Sequence, residues 1–220
     1  KATSIMVRSV LFVFSLLILT IVSSSYANTI EFDYCVADPA LPHGPSGYAC
    51  KDPTKAKPDD FAYSGLRTPG NTSSSIFKFG ASPAFVDQFP ALNGMGLSIV
   101  RADMAVGGVV PLHTHRVAEL IIVVEGIVLA GFIDTNNTAF YKTLEKGDIF
   151  IIPPTLEHFQ SNVGKIPTVV YASFASSNPG VQVVSNSLFQ SDLPSDIIER
   201  ITLLDRAQIQ KLKRVFGGHN

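Results

Sequence analysis

Charge is scarce in this sequence. Lys and Arg number 17 and Asp and Glu 18, together 16% of the 220 residues, for a net charge of −1. No basic cluster occurs, so the chain lacks the electrostatic footprint of a nucleic-acid binder. Cysteine is rarer still: only Cys35 and Cys50 are present. They flank the stretch "VADPALPHGPSGYA", and that spacing excludes a CxxC redox or zinc motif. No repeat with a period of roughly 20–50 residues is visible, which removes solenoids and propellers. Strand and helix patterns do not alternate, which removes a parallel α/β sheet. What remains is rich in apolar residues, at 46%, ample for a sizeable core and too hydrophobic for disorder. The length suits one large all-β domain or two small ones.

The N-terminus has its own grammar. Arg8 precedes an apolar run, "SVLFVFSLLILTIV", and "SSSYA" follows with small residues at Ser25 and Ala27. Residues 1–27 therefore read as a secretory signal peptide, with a mature chain from about Asn28. The run is short for an anchor, so no stable membrane insertion is expected. An oxidising compartment and an even cysteine count argue for one Cys35–Cys50 disulfide. Closing that loop is worth about 3 kcal/mol in the chain-entropy view. Two sequons, at Asn71 and Asn136, fit the secretory reading as glycan acceptors.

From residue 28 to 75 the chain is rich in Pro, Gly, Asp and Lys and reads as an irregular N-terminal arm holding the disulfide. "SSIFKFGAS" is a candidate strand, and "PAFVDQFPALNG" a short helix or turn. Short apolar or alternating runs follow: "GLSIVRADM", "ELIIVVEGIVLAGFID", "AFYKTL", "DIFIIP", "EHFQSN" and "TVVYASF". Turn signals such as "DTNNT", "EKGD" and "NVGKIP" separate them. This texture predicts an all-β, antiparallel barrel or sandwich over residues 76–185. Arg101 and Asp103 alternate with apolar neighbours and read as a solvated strand face. Residues 186–220 form a C-terminal helical extension of two helices. The second runs from an Asp205 N-cap to Phe216 and is ended by Gly217.

Chemistry concentrates in "PLHTHRVAELIIVVEG". His113 and His115 stand at i and i+2, so on a strand they share a face about 7 Å apart. Glu119 opens the following apolar run and offers an oxygen ligand. His158, in "GDIFIIPPTLEHFQSNVG", is the one other histidine within the β region. Three imidazoles and a carboxylate leave positions open on an octahedral ion, as a reactive site requires. By ligand chemistry alone iron, zinc, copper and manganese are all admissible.

At these residues a family resemblance enters. Gly107 to Gly126 fits the first cupin motif, Gly-x5-His-x-His-x(3,4)-Glu-x6-Gly, without mismatch. The second, Gly-x5-Pro-x-Gly-x2-His-x3-Asn, is matched by Gly147, Pro153, His158 and Asn162, with Thr155 in place of a glycine. "YCVADPALPHGPSGYAC", "SGLRTPGNTSS", "PAFVDQFPALNGMGLSIVRADMAVGGVVPLHTH" and "LLDRAQIQKLKRVFGG" resemble plant germin-like proteins, with the flavour of the subgroup described as auxin-binding proteins. The resemblance implies a single-domain cupin, a jelly-roll β-barrel, secreted to the extracellular space, apoplast or cell wall. It implies Mn2+ held by His113, His115, Glu119 and His158, and a homo-hexamer built as a trimer of dimers. The activities it implies are superoxide dismutation or the O2-dependent oxidation of oxalate to CO2 and hydrogen peroxide. A non-catalytic auxin or carboxylate receptor is the rival, and a wall-structural hexamer a third reading.

The chain departs from the family where germins usually carry "HTHPGASE". Here "HTHRVAE" is one residue shorter and gains Arg116. Glu157 stands beside His158 where an apolar residue is usual. Two placements are open. Both charges lie on the rim or outer face, or they face the pocket, bind an anionic carboxylate ligand through the guanidinium fork and serve as acid or base. The second would mark a germin repurposed for specialised small-molecule chemistry. Asn162 is expected near the pocket, holding a turn or touching a ligand.

Overall fold

A computed structural model describes residues 33–219; the signal-peptide reading of residues 1–27 lies outside the described residues. In chain order the first strands are β1 (His43–Gly44), β2 (Gly47–Tyr48), β3 (Phe79–Ala84), β4 (Ser98–Met104), β5 (Val109–Thr114) and β6 (Glu119–Glu125). Then come β7 (Val128–Ile133), β8 (Ala139–Leu144), β9 (Ile149–Ile152), β10 (His158–Asn162), β11 (Thr168–Phe174) and β12 (Gln182–Val183). Three helices close the described chain: α1 (Val184–Phe189), α2 (Ser195–Thr202) and α3 (Arg206–Phe216).

Two five-stranded antiparallel sheets make the barrel, in the orders β12-β5-β10-β7-β8 and β3-β4-β11-β6-β9. Their inner faces merge in one apolar cluster that includes Met104, Ile121, Val128, Leu144, Ile152 and Val170, all almost fully buried. The long run "ELIIVVEGIVLAGFID" is two strands in different sheets, broken at Gly126, whose φ of +84° turns the chain. In β6 the residues alternate by face: Glu119, Ile121 and Val123 are buried, while Leu120, Ile122 and Val124 stand 38–41% exposed. The outward residues Leu120 and Ile122 pair with Ile151 and Ile149 of the edge strand β9, which are themselves 57% and 62% exposed. An apolar stripe thus lies on the outside of that sheet.

Three local readings need correcting. The strand expected over "SSIFKFGAS" starts later: Thr72–Ser74 is a 3-10 turn, and β3 extends to Ala84 through Pro83. An edge strand tolerates a proline because one side of its backbone goes unpaired. Arg101 and Asp103 are not a solvated face. Asp103 is buried, accepts from the Arg101 guanidinium at 2.8 Å and from the Gly70 N–H at 2.8 Å, while Arg101 donates to the Leu66 carbonyl at 3.2 Å. The pair pins the segment before β3 to β4. Finally, "VSNSLF" is an additional short helix, α1.

Elsewhere local chemistry and structure agree. Cys35 and Cys50 are disulfide-bonded, and the Asn93 amide ties that loop down by donating to the Tyr48 carbonyl at 2.9 Å. Asp205 caps α3 in a reciprocal capping box with Gln208, and Gly217, at φ +79°, ends it. Ile198, Ile209 and Phe189 are buried in a second cluster under the helices. The buried Lys213 ammonium donates to the carbonyls of Leu193 (2.8 Å) and His219 (2.6 Å), fastening the helical extension to itself.

Candidate metal centre

Four buried side chains from three strands meet at one end of the barrel. His113 sits near the end of β5 and His115 just beyond it; Glu119 opens β6 and His158 opens β10. His113 and His158 are direct cross-strand partners, so the ladder itself sets two ligands side by side. One ligand atom from each of the four lies within 4.8 Å of every other. The His158 Nε2 is 2.8 Å, and the His115 Nε2 3.4 Å, from Glu119 Oε2.

The imidazole hydrogen bonds settle which nitrogens face the centre. A backbone carbonyl only accepts, so the Nδ1 of His113 donates to Pro111 O at 2.8 Å and that of His158 to Leu156 O at 2.8 Å. The Nδ1 of His115 donates to Gly180 O. With Nδ1 engaged by a carbonyl on all three, it is Nε2 of each ring that faces the centre, the nitrogen from which a metal can be bound. Three lone pairs and a carboxylate facing one point repel unless a cation or a proton sits among them. The donor set therefore fits a divalent transition ion with nitrogen and oxygen preference.

Burial works in the same direction. Desolvation, reinforced by neighbouring His158 and His115, pushes the His113 imidazole from its usual 6.5 down to about 3. Desolvation also lowers His115, against the opposing pull of its Gly180 hydrogen bond and Glu119. Both rings stay neutral near physiological pH and remain available to a metal. In the unfolded chain His113 takes up a proton near pH 6.5, whereas in the fold it does so only near 3. Its contribution to stability is thus complete above pH 6.5 and is lost as pH falls through that window. The urea midpoint of metal-free protein is expected to decline steadily on acidification from about pH 6.5. A midpoint flat down to about pH 4 would contradict this account of His113.

Behind the ligands lies a cavity of about 510 Å³. His113, His115 and Glu119 line one end, and the walls are apolar, among them Phe79, Val100, Met104, Val110 and Phe174. Among the described residues, the polar side chains on it apart from the candidate ligands are Gln160 and Asn186, and no Lys or Arg lines it. Gln160 is buried, two residues after His158 on β10, with its amide 3.5 Å from Glu119 Oε1. Alternation along the strand could have identified it, since i and i+2 share a face.

The other candidate residues are dispersed. Arg116 and Glu157 are exposed and neither lines the cavity; Arg116 instead donates to the Asn178 carbonyl at 3.0 Å. Asn162 is buried but also does not line the cavity. Its amide donates to the carbonyls of Ala105 (3.0 Å) and Ile166 (2.8 Å), and its Oδ1 accepts from Gly164 N at 2.9 Å, so it holds the turn between β10 and β11. Asn71 and Asn136 are both on the surface. Thr155, at the motif position usually held by glycine, has φ +67°, and its N–H donates to His115 O at 3.0 Å. The left-handed region costs an L-residue about 1–2 kcal/mol. Thr155→Gly is therefore expected to stabilise the protein by about 0.5–1 kcal/mol after the entropy cost of glycine is subtracted, read as a higher urea midpoint. A lower midpoint would show that the threonine side chain contributes more than its backbone conformation costs.

Comparison with known proteins agrees with this geometry. The cupin family pattern matches residues 64–210. The chain is 50% identical to auxin-binding protein ABP20 of Prunus persica over 98% of each chain. It is 47% identical to germin-like protein subfamily 3 member 3 of Arabidopsis thaliana, over 89% of this chain and 95% of the relative. A solved oxalate oxidase structure superposes with a TM-score of 0.81 at 33% identity, covering 86% of this chain and 97% of that one. With a His3Glu cluster at the mouth of two antiparallel sheets and these relatives, the chain belongs to the cupin family, on its germin-like branch.

Proposed function

We propose that this is a secreted, manganese-binding germin-like oxidoreductase that turns over a small anion at a metal held by His113, His115, Glu119 and His158. The observation that carries the reading is the convergence of three imidazoles and one carboxylate at the end of an otherwise apolar cavity. Bound manganese supplies reversible one-electron chemistry and a Lewis-acid position for an anion. The protein supplies the rest. Burial keeps the His113 and His115 imidazoles neutral, and Glu119 supplies the carboxylate ligand. Apolar walls keep bulk water from the reacting anion, and the Gln160 amide lies against Glu119. Superoxide and oxalate are the two candidate substrates, both anions that need an open coordination position. The disulfide supports an extracellular location, and among the described residues no helix is long and apolar enough to cross a membrane. The apolar stripe on β6 and β9 supports assembly of a homo-oligomer, for which a hexamer is the expected mass in light scattering.

A second reading, non-catalytic binding of an apolar carboxylate of the auxin type, is favoured by one observation. About 510 Å³ of apolar cavity is far more room than superoxide or oxalate fills. One series of measurements separates the two on protein secreted from a plant host. Metal content comes first, then hydrogen peroxide release from oxalate, superoxide dismutation, and titration with an arylacetic acid. Metal with turnover of either small anion supports the enzyme. Metal with saturable arylacetate binding and no turnover supports the receptor. Protein that takes up no manganese even when supplied with it overturns both.

A further inference from the structure

The three imidazoles are not held in the same way. His113 and His158 donate to carbonyls two residues upstream, Pro111 on the same strand and Leu156 in the turn just before β10. Those bonds are local in sequence. His115 donates to Gly180, which is 65 residues away. Gly180 lies in a strap, residues 178–183, whose only ladder pairing among the described residues is the two-residue β12 against Thr114 and His113. The orientation of one proposed ligand thus depends on a loop with little hydrogen bonding of its own.

Arg116 is what else grips that loop. Its backbone N–H donates to Pro179 O at 3.1 Å, and its Nη2 donates to Asn178 O at 3.0 Å. The guanidinium lies directly over Gly180: a β-carbon there would come 2.7 Å from Nη1 and 2.9 Å from Cζ. Gly180 also has φ +63°, a backbone conformation that favours glycine, and without a β-carbon it leaves the guanidinium room to lie against it. Among the described residues Arg116 has no ion-pair partner, and both of these hydrogen bonds fall on the strap.

We propose that Arg116 is a positioning residue for the centre: it rivets residues 178–180 in place so that the Gly180 carbonyl fixes the tautomer and tilt of His115. This rests on the reading of the four side chains as one metal centre. The arginine acts from outside the cavity, through a backbone carbonyl, and needs no contact with substrate.

The test uses the full mature chain and three variants: Arg116→Ala, Arg116→Lys and, as a surface control, Glu157→Ala. Two readouts are taken. The first is the imidazole Nδ1–H resonances of metal-free protein by nitrogen-15 NMR, and the second is Mn2+ affinity by competition with a chelator. In Arg116→Ala the His115 Nδ1–H signal is expected to be lost to solvent exchange while those of His113 and His158 persist. Manganese affinity should fall about 10-fold, the range seen when a ligand's hydrogen-bond support is removed. Arg116→Lys should restore part of both, because an ammonium reaches one carbonyl but cannot cover Gly180. Glu157→Ala should change neither. An unaltered His115 signal in Arg116→Ala overturns the proposal, as does loss of all three signals together with the melting transition, which would mark a merely structural role. Wild-type protein that shows the His115 signal yet binds no manganese refutes the metal reading and leaves the rivet standing.

Discussion

Replacing His158 by alanine is expected to abolish metal retention in a protein that still folds. His158 is 1% exposed, it is the cross-strand partner of His113, and its Nε2 is the nitrogen nearest the Glu119 carboxylate, at 2.8 Å. Removing a ligand should weaken binding by more than the roughly 10–100-fold that follows loss of a ligand's supporting partner. Metal bound after dialysis should therefore fall close to zero in mass spectrometry of the eluted protein. Stability also suffers, since deleting a buried ring costs about 3 kcal/mol, and so a second substitution is needed. His158→Gln keeps much of the volume and an amide, yet cannot present the imidazole lone pair, and it should lose the metal with a smaller fall in melting temperature. Asn162→Ala is the opposite case. It strips the hydrogen bonds from the turn after β10 and costs about 2 kcal/mol, but it should retain metal. If both His158 variants keep a full equivalent, the centre is not assembled from these four side chains.

The second large effect is at Gly126. Three motif glycines, Gly107, Gly126 and Gly147, all have positive φ, at +69°, +84° and +95°. Backbone strain alone predicts similar costs for alanine at each, about 1–2 kcal/mol. Space distinguishes them. Nothing lies within 4 Å of the β-carbon position at Gly107 or Gly147, whereas at Gly126 it falls 2.5 Å from Thr168 Cγ2 and 3.1 Å from Pro167 O. Thr168 is fully buried on β11, so it cannot swing into solvent to make room. Overpacking adds about 1–3 kcal/mol, bringing Gly126→Ala to about 2–5 kcal/mol against about 1–2 for the other two. Urea denaturation of the three single variants measures the contrast directly. Equal midpoints would mean that β11 yields more easily than its burial indicates.

The elements legible in the sequence are those whose signals are local. Asp205 and Gly217 announce the ends of α3 because capping is settled within one turn of helix. His113, His115 and Glu119 cluster because strand alternation and a tight spacing place them together. His158 required the second motif, since nothing local links it to a residue 45 positions earlier. What stayed hidden depends on distant partners. The sense of Arg116 could not be read, because its acceptors are backbone carbonyls at 178 and 179, which carry no side-chain signature. Arg101 and Asp103 looked like an outer face because alternation gives the side of a strand but not what covers it. Asn162 and Gln160 sit two apart on one strand, yet the first is consumed by the turn and the second reaches the cavity; only the three-dimensional end of β10 separates them. The outer face of β6 illustrates a further limit. "LIIVVEG" reads as a strand buried on both sides, and a single chain covers only one.

That strand has a consequence for how such a protein can diversify. Inward positions of β6 hold a candidate ligand and core residues, and outward positions form the exposed apolar stripe, so successive substitutions meet a constraint on one face or the other. Few changes there are neutral, and a one-residue slip would exchange the two sets wholesale. Novelty has more freedom in the connection before β6, residues 116–118, and in the strap opposite it. New chemistry in this lineage is expected to accumulate at those two loops, leaving the barrel wall between them nearly unaltered.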